Sequence, residues 1–468
     1  MKKRTARRNR KKQAQFPGHL SHINLNAAGI DIGAESHCVA VPEGRDPGGS
    51  TVREFGCFTA DLYALADWLV QCGITTVAME STGVYWISLF EILDQRGIHV
   101  ALVNPHHLKN VPGRKSDIID CQWIQPLHTY GLLRGSFRPE DQICVLRGYL
   151  RQRAMLVRYA SHPIQHMQKA LDQMNLKLHR VVTDITGVTG MRIIRAILAE
   201  ERNPVTLAQM RDPRCKNTTE TIAKALEGNW REEHLFSLRQ AVTLFDTYQD
   251  QIAACDAQTE AYLGTFVAHT QSPLPPKPGR KNPRIRNDPG FDAQSHLYRI
   301  SGVDLTRIDG IHTHTALKLI SEVGLDMTRW PTVKHFTSWL GLCPGSKISG
   351  GKVLNSRTKP SGNRAAAAFR LAAHSLHNSQ SALGAFLRRK KAHIGGPKAV
   401  TATAHKLARL FYSMLKHGTE YQDPGVDDYQ TRYQARVISG LRRKATALGY
   451  SLTEIEDLDQ TLCAAVPG

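Results

Sequence analysis

Asp31 stands in the run G-I-D-I-G, Glu80 in A-M-E-S-T-G, and Asp117 with Asp120 in K-S-D-I-I-D. Asp117 and Asp120 are three residues apart, so on a helix they share a face. Four carboxylates drawn from two strands and one helix are what a divalent-metal phosphoryl-transfer site needs. Oxygen-only ligation suits Mg²⁺ or Mn²⁺, and two such ions about 4 Å apart stabilise both attacking and leaving oxygens. Each carboxylate alone also has an ordinary reading as turn residue, helix cap or solvated face; their joint placement argues for a site. A second cluster, Pro344 to Arg364, is dense in small, polar and basic residues. There Gly350 and Gly351 follow Ser349 and would let backbone approach a phosphate, while Lys347, Lys352, Arg357, Lys359 and Arg364 could neutralise one. Locally, S-G-G-K could equally be a plain turn with a solvated lysine.

The elements needed to position the carboxylates are legible. Ala27 to Ile32, His37 to Val41 and Val52 to Phe58 read as three strands, Asp61 to Gln71 as a helix and Ile74 to Met79 as a buried strand. A helix over Tyr85 to Gln95, a strand over His99 to Val103 and a helix over Ser116 to Leu133 complete a βββαβαβα order. In that order the strands of Asp31 and Glu80 are neighbours, as in a ribonuclease-H topology. A sugar-kinase-like or actin-like ATPase also ends its first strand in D-x-G, but leaves Asp117 and Asp120 unexplained and lacks a second Gly-rich loop here. Beyond Pro139, long helical patterns dominate, including Cys144 to Arg180 and Glu233 to Phe266, as in a bundled or coiled-coil spacer. The Pro-rich basic stretch Gln271 to Gly290 reads as a linker. Leu305 to Val323 has the form of two short helices around a Gly turn, like a helix-hairpin-helix. Ala365 to Leu376 and Ala399 to Leu415 follow as amphipathic helices, and the stretch from Tyr421 reads as polar and peripheral.

The chain has 468 residues, 41% hydrophobic, and carries 61 Lys plus Arg against 41 Asp plus Glu, a formal charge of +20. That composition excludes general disorder and points to a polyanionic partner. The excess is patterned: residues 1–20 carry +8, 271–300 carry +4 and 345–398 carry +11, which leaves the rest near −3. Such blocks fit a nucleic-acid footprint. Nine scattered cysteines without a C-x-x-C pair indicate neither a disulfide framework nor a zinc ribbon. No apolar leader follows the basic N-terminus and no run of about 18 apolar residues occurs, so a reducing cytoplasm and no membrane are expected.

With these flanks, the Asp31, Glu80, Asp117 and Asp120 motifs precede G-I-x-x-x-T-A-L-K-L-I-S-E-V-G from Gly310, W-L-G-L-C-P from Trp339 and S-G-G-K from Ser349. The set resembles the DEDD transposases of insertion-sequence family 110 and the related Piv invertases, over roughly Asn24 to Leu133 and Ser301 to Gly418. The basic N-terminus, the linker and Q-W-I-Q-P-L-H-T-Y-G-L-L from Gln122 look more like its 1111 subgroup. The resemblance implies a multidomain recombinase: a basic tail (1–23), an α/β ribonuclease-H-like (RuvC-like) domain (24–138), a helical coiled-coil region (139–270) and a basic linker (271–295). A mainly α transposase domain with the helix-hairpin-helix-like element (296–420) and a C-terminal tail (421–468) complete it. It further implies Mg²⁺ (or Mn²⁺) on the four carboxylates, Ser349 as nucleophile, and Lys115, Lys347, Lys352, Arg357, Lys359 and Arg364 as nucleic-acid contacts. Implied partners are donor and target DNA, an element-encoded non-coding bridge RNA and further copies of the chain as homodimer or homotetramer, in a bacterial, nucleoid-associated setting. His312, His314, Pro360 and Ala365 to Ala368 depart from the family pattern. Two other classes compete: a metal-dependent nuclease or DDE-type transposase with a structural serine, and a non-catalytic nucleic-acid scaffold.

Overall fold

The structure is a computed structural model and describes residues 24–104, 117–133, 135–276 and 287–453. The chain divides into two compact units, Met1–Arg138 and Pro139–Gly468. Lys115 and the N-terminal basic run fall outside the described residues.

The first unit is built on a five-stranded sheet. Strands β1 (Ala27–Ile32), β2 (Ser36–Ala40) and β3 (Val52–Gly56) form an antiparallel meander, and β4 (Thr76–Glu80) and β5 (His99–Val103) continue it in parallel, giving the order β3-β2-β1-β4-β5. The β1–β2 turn closes where the Gly33 N–H donates to the Ser36 carbonyl at 3.0 Å; a Cβ on Gly33 would lie 2.5 Å from that same oxygen. Parallel pairing needs crossovers, supplied by α1 (Thr59–Gln71) and α2 (Trp86–Gln95). One sheet face, carrying Ile30, Ile32, Val77 and Met79, packs on Leu65, Leu69, Leu89 and Leu93 of these helices. Each such side chain taken out of water contributes about 1.5 to 3 kcal/mol. The other face, with Ala78, Val103, Cys38 and Ala40, is covered by α3 (Asp117–Thr129) through Cys121 and Ile124.

The second unit is helical. Its first half sets α4 (Asp141–Tyr159) and α5 (Ser161–Gln173) along the 33-residue α10 (Glu232–Gly264). Four short helices, α6 (Leu178–Val181), α7 (Val188–Leu198), α8 (Pro204–Gln209) and α9 (Thr219–Ala225), fill the space between, around Met167, Leu171, Ile193, Ile197 and Leu238. The periodic run from Cys144 to Arg180 is thus three helices and not one. Pro163, which has no N–H and would crowd a continuous α4, sits in the first turn of α5, and Asn175 ends that segment at φ 58°.

The second half comprises α11 (Ala293–Ser301), α12 (Thr313–Val323), α13 (Val333–Trp339), a β6–β7 hairpin (Lys347–Ser349, Lys352–Asn355), α14 (Arg364–Ser375), α15 (Ala382–Ile394), α16 (Gly396–His417) and α17 (Gly425–Ala447). The first of the two helices expected in Leu305 to Val323 is only a single 3₁₀ turn, Leu305–Arg307, in which Asp304 accepts from the Thr306 backbone and hydroxyl. Gly310 follows with φ 85°, and a side chain there would meet the Ala372 carbonyl at 2.6 Å. The stretch read as a peripheral tail carries the 23-residue α17, held at its start where Tyr429 and Val426 pack on Ala382, Ala385 and Phe386 of α15. Among the described residues no helix is long and apolar enough to cross a membrane.

The two halves of this unit are tied by ionic contacts. Arg147 and Arg151 of α4 both reach Glu322 at the end of α12, Arg151 through two bonds of 3.1 and 2.8 Å. Arg147 also donates to the carbonyls of Ser321 and Glu322. Within the first half, Arg153 of α4 is buried and forks onto Asp256 of α10 at 2.5 and 3.1 Å, and it donates further to the carbonyls of Asn287 and Asp288.

Candidate active site

Asp31 and Glu80 are brought side by side by strand register. Ile30 pairs with Met79 across the parallel β1–β4 ladder, so the next residue on each strand is Asp31 and Glu80, with strand axes about 4.8 Å apart. Both belong to the face that α3 covers: Ile30 and Met79 face α1 and α2, and side chains alternate along a strand. Each is half-buried at the end of its strand. The Glu80 carboxylate accepts a bond of 3.1 Å from the Thr82 hydroxyl, and the S-T-G that follows is a turn, with Gly83 at φ 55°.

The helix bearing the other two carboxylates crosses this face in direct contact with β1. Two residues before Asp31, Gly29 meets it: a Cβ there would lie 2.4 Å from the Gln125 nitrogen and 2.6 Å from the Cys121 carbonyl. Asp120 is half-buried on α3 beside Cys121, and Asp117 is the first residue of the helix, one turn earlier; the Asp117 side chain lies outside the described residues. Cys121 reports on the site's field. Its thiol hydrogen-bonds to the Cys38 sulfur at 3.3 Å, and its pKa is pushed up by burial first, then by Cys38, with the Asp31 carboxylate adding to the effect. Cys38 is itself the β2 residue paired with Asp31, and burial lowers the pKa of neighbouring His37. Among the described residues no group of three or more His, Cys, Asp or Glu is arranged to hold a metal ion. The structure places Asp31 and Glu80 on adjacent strands and packs the helix of Asp120 against the same sheet face.

Gly29 was not singled out from the sequence, although a glycine inside a strand is a signal of close backbone approach. Gly29→Ala is expected to displace α3 at a cost in the upper part of the 1 to 3 kcal/mol range typical of overpacking, here about 3 kcal/mol because the obstruction is backbone. Urea denaturation of the mutant would show it, and an unchanged midpoint would refute the close approach.

Ser349 is the last residue of β6, exposed, and pairs with Lys352 across the two-residue turn Gly350–Gly351. Both glycines have positive φ, 55° and 78°, the geometry of a tight hairpin turn that a β-carbon would strain. Nothing lies within 4 Å of where their Cβ atoms would be, so the turn is open to an incoming backbone. Lys347, Lys352, Arg357, Lys359 and Arg364 are all exposed around the same hairpin. Arg364 opens α14, which Asn363 caps by accepting from the Ala366 N–H at 3.0 Å. The hairpin also walls a groove of about 1380 Å³ whose lining includes Val353, Leu354, Arg357, Lys390, Lys398 and His405. Both basic and apolar groups line it.

Comparison with known proteins places these parts in a class. Residues 28–176 match a DEDD transposase family model, and residues 304–387 match the model described as "Transposase IS116/IS110/IS902 family". The chain therefore has a two-domain transposase layout, an N-terminal mixed sheet with helices followed by a mostly helical part. Both matched stretches are similar to transposase models, the second to that of the IS110-type elements. A curated relative, "Insertion element IS110 uncharacterized 43.6 kDa protein" of Streptomyces coelicolor, is 32% identical over 123 residues. That match spans 25% of this chain and 29% of the relative's length.

Proposed function

We propose that the protein is the DNA recombinase of an insertion sequence, cutting and rejoining DNA through a covalent phosphoserine. The observation that carries this reading is the placement of Asp31 and Glu80 one residue beyond the Ile30–Met79 pair, on the sheet face covered by the helix of Asp120, inside the first transposase match, in a chain that bears Ser349 within the second. The first unit is read as ribonuclease-H-like, since its β3-β2-β1-β4-β5 order is the one that topology uses. The domain limits remain those drawn from the sequence, and the 1111 subgroup is part of the proposal.

Asp31, Glu80, Asp117 and Asp120 would hold Mg²⁺ or Mn²⁺, which when bound supplies positive charge to the non-bridging oxygens of the scissile phosphate. Ser349 Oγ, exposed before an open glycine turn, attacks the phosphorus. The Oγ–P bond forms, the P–O3′ bond breaks, and the proton given up by the serine is balanced by the one taken up on the departing 3′-hydroxyl. The energy of the diester is kept in the protein link until another 3′-hydroxyl reverses the step. Lys347, Lys352, Arg357, Lys359, Arg364 and Lys115 would bind DNA or RNA phosphates, and the turn at Gly310 leading into α12 is read as a helix-hairpin-helix-like phosphate contact. Target choice is delegated to a bridge RNA of the element, and two or four copies of the chain assemble on the two DNAs.

The test is recombination between two DNA molecules by the purified full-length chain, with and without RNA transcribed from the non-coding DNA flanking its reading frame. Joint molecules formed only with that RNA, and redirected when its loops are changed, support the proposal. Joining that is indifferent to RNA contradicts the guided step.

A further inference from the structure

The basic side chains on the face shared by α15, α16 and α17 lie beyond the region matched by the second transposase model, which ends at residue 387. Lys406 of α16 is half-buried at the centre, with its ammonium over the rings of Phe386 (4.9 Å) and Tyr429 (5.6 Å). Arg389 of α15 stacks 4.0 Å from the Tyr433 ring and donates to the Tyr429 hydroxyl at 2.7 Å. Arg409 and Arg436 stand exposed to either side.

The nearby acids are already engaged. Asp423 accepts from the Ala382 N–H and the Tyr421 hydroxyl, and Asp428 pairs with Arg432. Among the described residues, none of Arg389, Lys406, Arg409 and Arg436 has a carboxylate within ion-pair distance. Burial, then Arg436, Arg409 and Arg389, lower the pKa of Lys406 and outweigh the opposing pull of Asp423, as expected where cations outnumber carboxylates. Two open cavities of about 550 and 530 Å³ meet at Lys406 and Leu410, so the face is continuous and accessible. Arg409 and Lys416, seven residues apart on one side of α16, extend it by about 10 Å.

We propose that this face is a second polyanion site, adjoining the groove beside the Ser349 hairpin at Phe386, which takes the sugar-phosphate backbone of a nucleic acid along the row Arg436, Lys406, Arg409. Its rings are occupied in supporting the cations and offer no stacking platform, so the site reads backbone and not base. Binding here does not require the chemistry proposed for Ser349.

The experiment measures anisotropy of labelled single-stranded RNA, single-stranded DNA and duplex DNA, each about 30 nucleotides of unrelated sequence, with the full chain over a range of salt. Replacing the exposed pair (Arg409→Gln with Arg436→Gln) is expected to weaken binding about tenfold. The slope of log affinity against log salt should fall by about 1.8 on duplex or about 1.4 on single strands, and the Arg→Lys pair should restore it. The probe on which the slope changes identifies the backbone bound, RNA or DNA. Wild-type slopes in the Gln pair on all three probes, or a wild-type chain without salt-dependent binding, would overturn the inference. A chain that shows the slope change yet forms no serine adduct counts against the proposed recombinase chemistry alone; normal adducts with unchanged slopes count against this site alone.

Discussion

Asp31→Asn and Glu80→Gln should each lower strand cleavage by at least about a thousandfold, roughly 4 kcal/mol of transition-state stabilisation, while leaving the thermal midpoint within a degree or two. The reasoning is geometric. Register places the two carboxylates on adjacent strands of one sheet face, each half-buried at a strand end and outside the apolar layer that holds the sheet to α1 and α2. Amide substitution removes a charge and keeps the shape, so the fold loses little, while on the proposed reading a bound cation would lose a ligand. Cleavage is read on a supercoiled plasmid carrying the element ends, with Mg²⁺ titrated. If both variants cleave at wild-type rates, the carboxylates are structural and the catalytic reading of the first unit fails.

Arg153→Ala is expected to have the largest effect on stability. The guanidinium is buried, forks onto buried Asp256, and donates to two backbone carbonyls as well. Truncation leaves Asp256 without its counterion, which costs about 3 to 5 kcal/mol in such settings, and the melting temperature should fall on the order of 10 °C. The double replacement Arg153→Met with Asp256→Leu removes both charges and should recover most of that loss. If the double variant is as unstable as the single, packing and not the unpaired charge dominates.

The sheet and its helices were legible because strand alternation and the G-I-D-I-G and A-M-E-S-T-G runs are local signals. Most element ends shift by no more than two residues, as in α1, which begins at Thr59 where Asp61 was expected to open the helix; α3 departs most, ending at Thr129 where Leu133 was expected. What was not legible depends on distance along the chain. Glu322 meets Arg147 and Arg151 across more than 170 residues, and nothing near Glu322 marks it as an inter-helix anchor. The helix over Gly425–Ala447 was missed because its apolar anchor is small, essentially Val426 and Tyr429, while most of the remainder is exposed. Arg432 and Arg436, one turn apart, were the available signal. At the serine, S-G-G-K was consistent with a bare turn, and the structure makes it one; the turn's openness and the exposed cations around it are what favour a phosphate there.

The most direct test of the recombinase reading is to stop the reaction in denaturant, digest the protein and locate any DNA-linked peptide by mass spectrometry. The account predicts a phosphodiester on Ser349, formed by the wild type and absent from Ser349→Ala. Covalent linkage at another residue, or cleaved DNA with no protein attached, would contradict it.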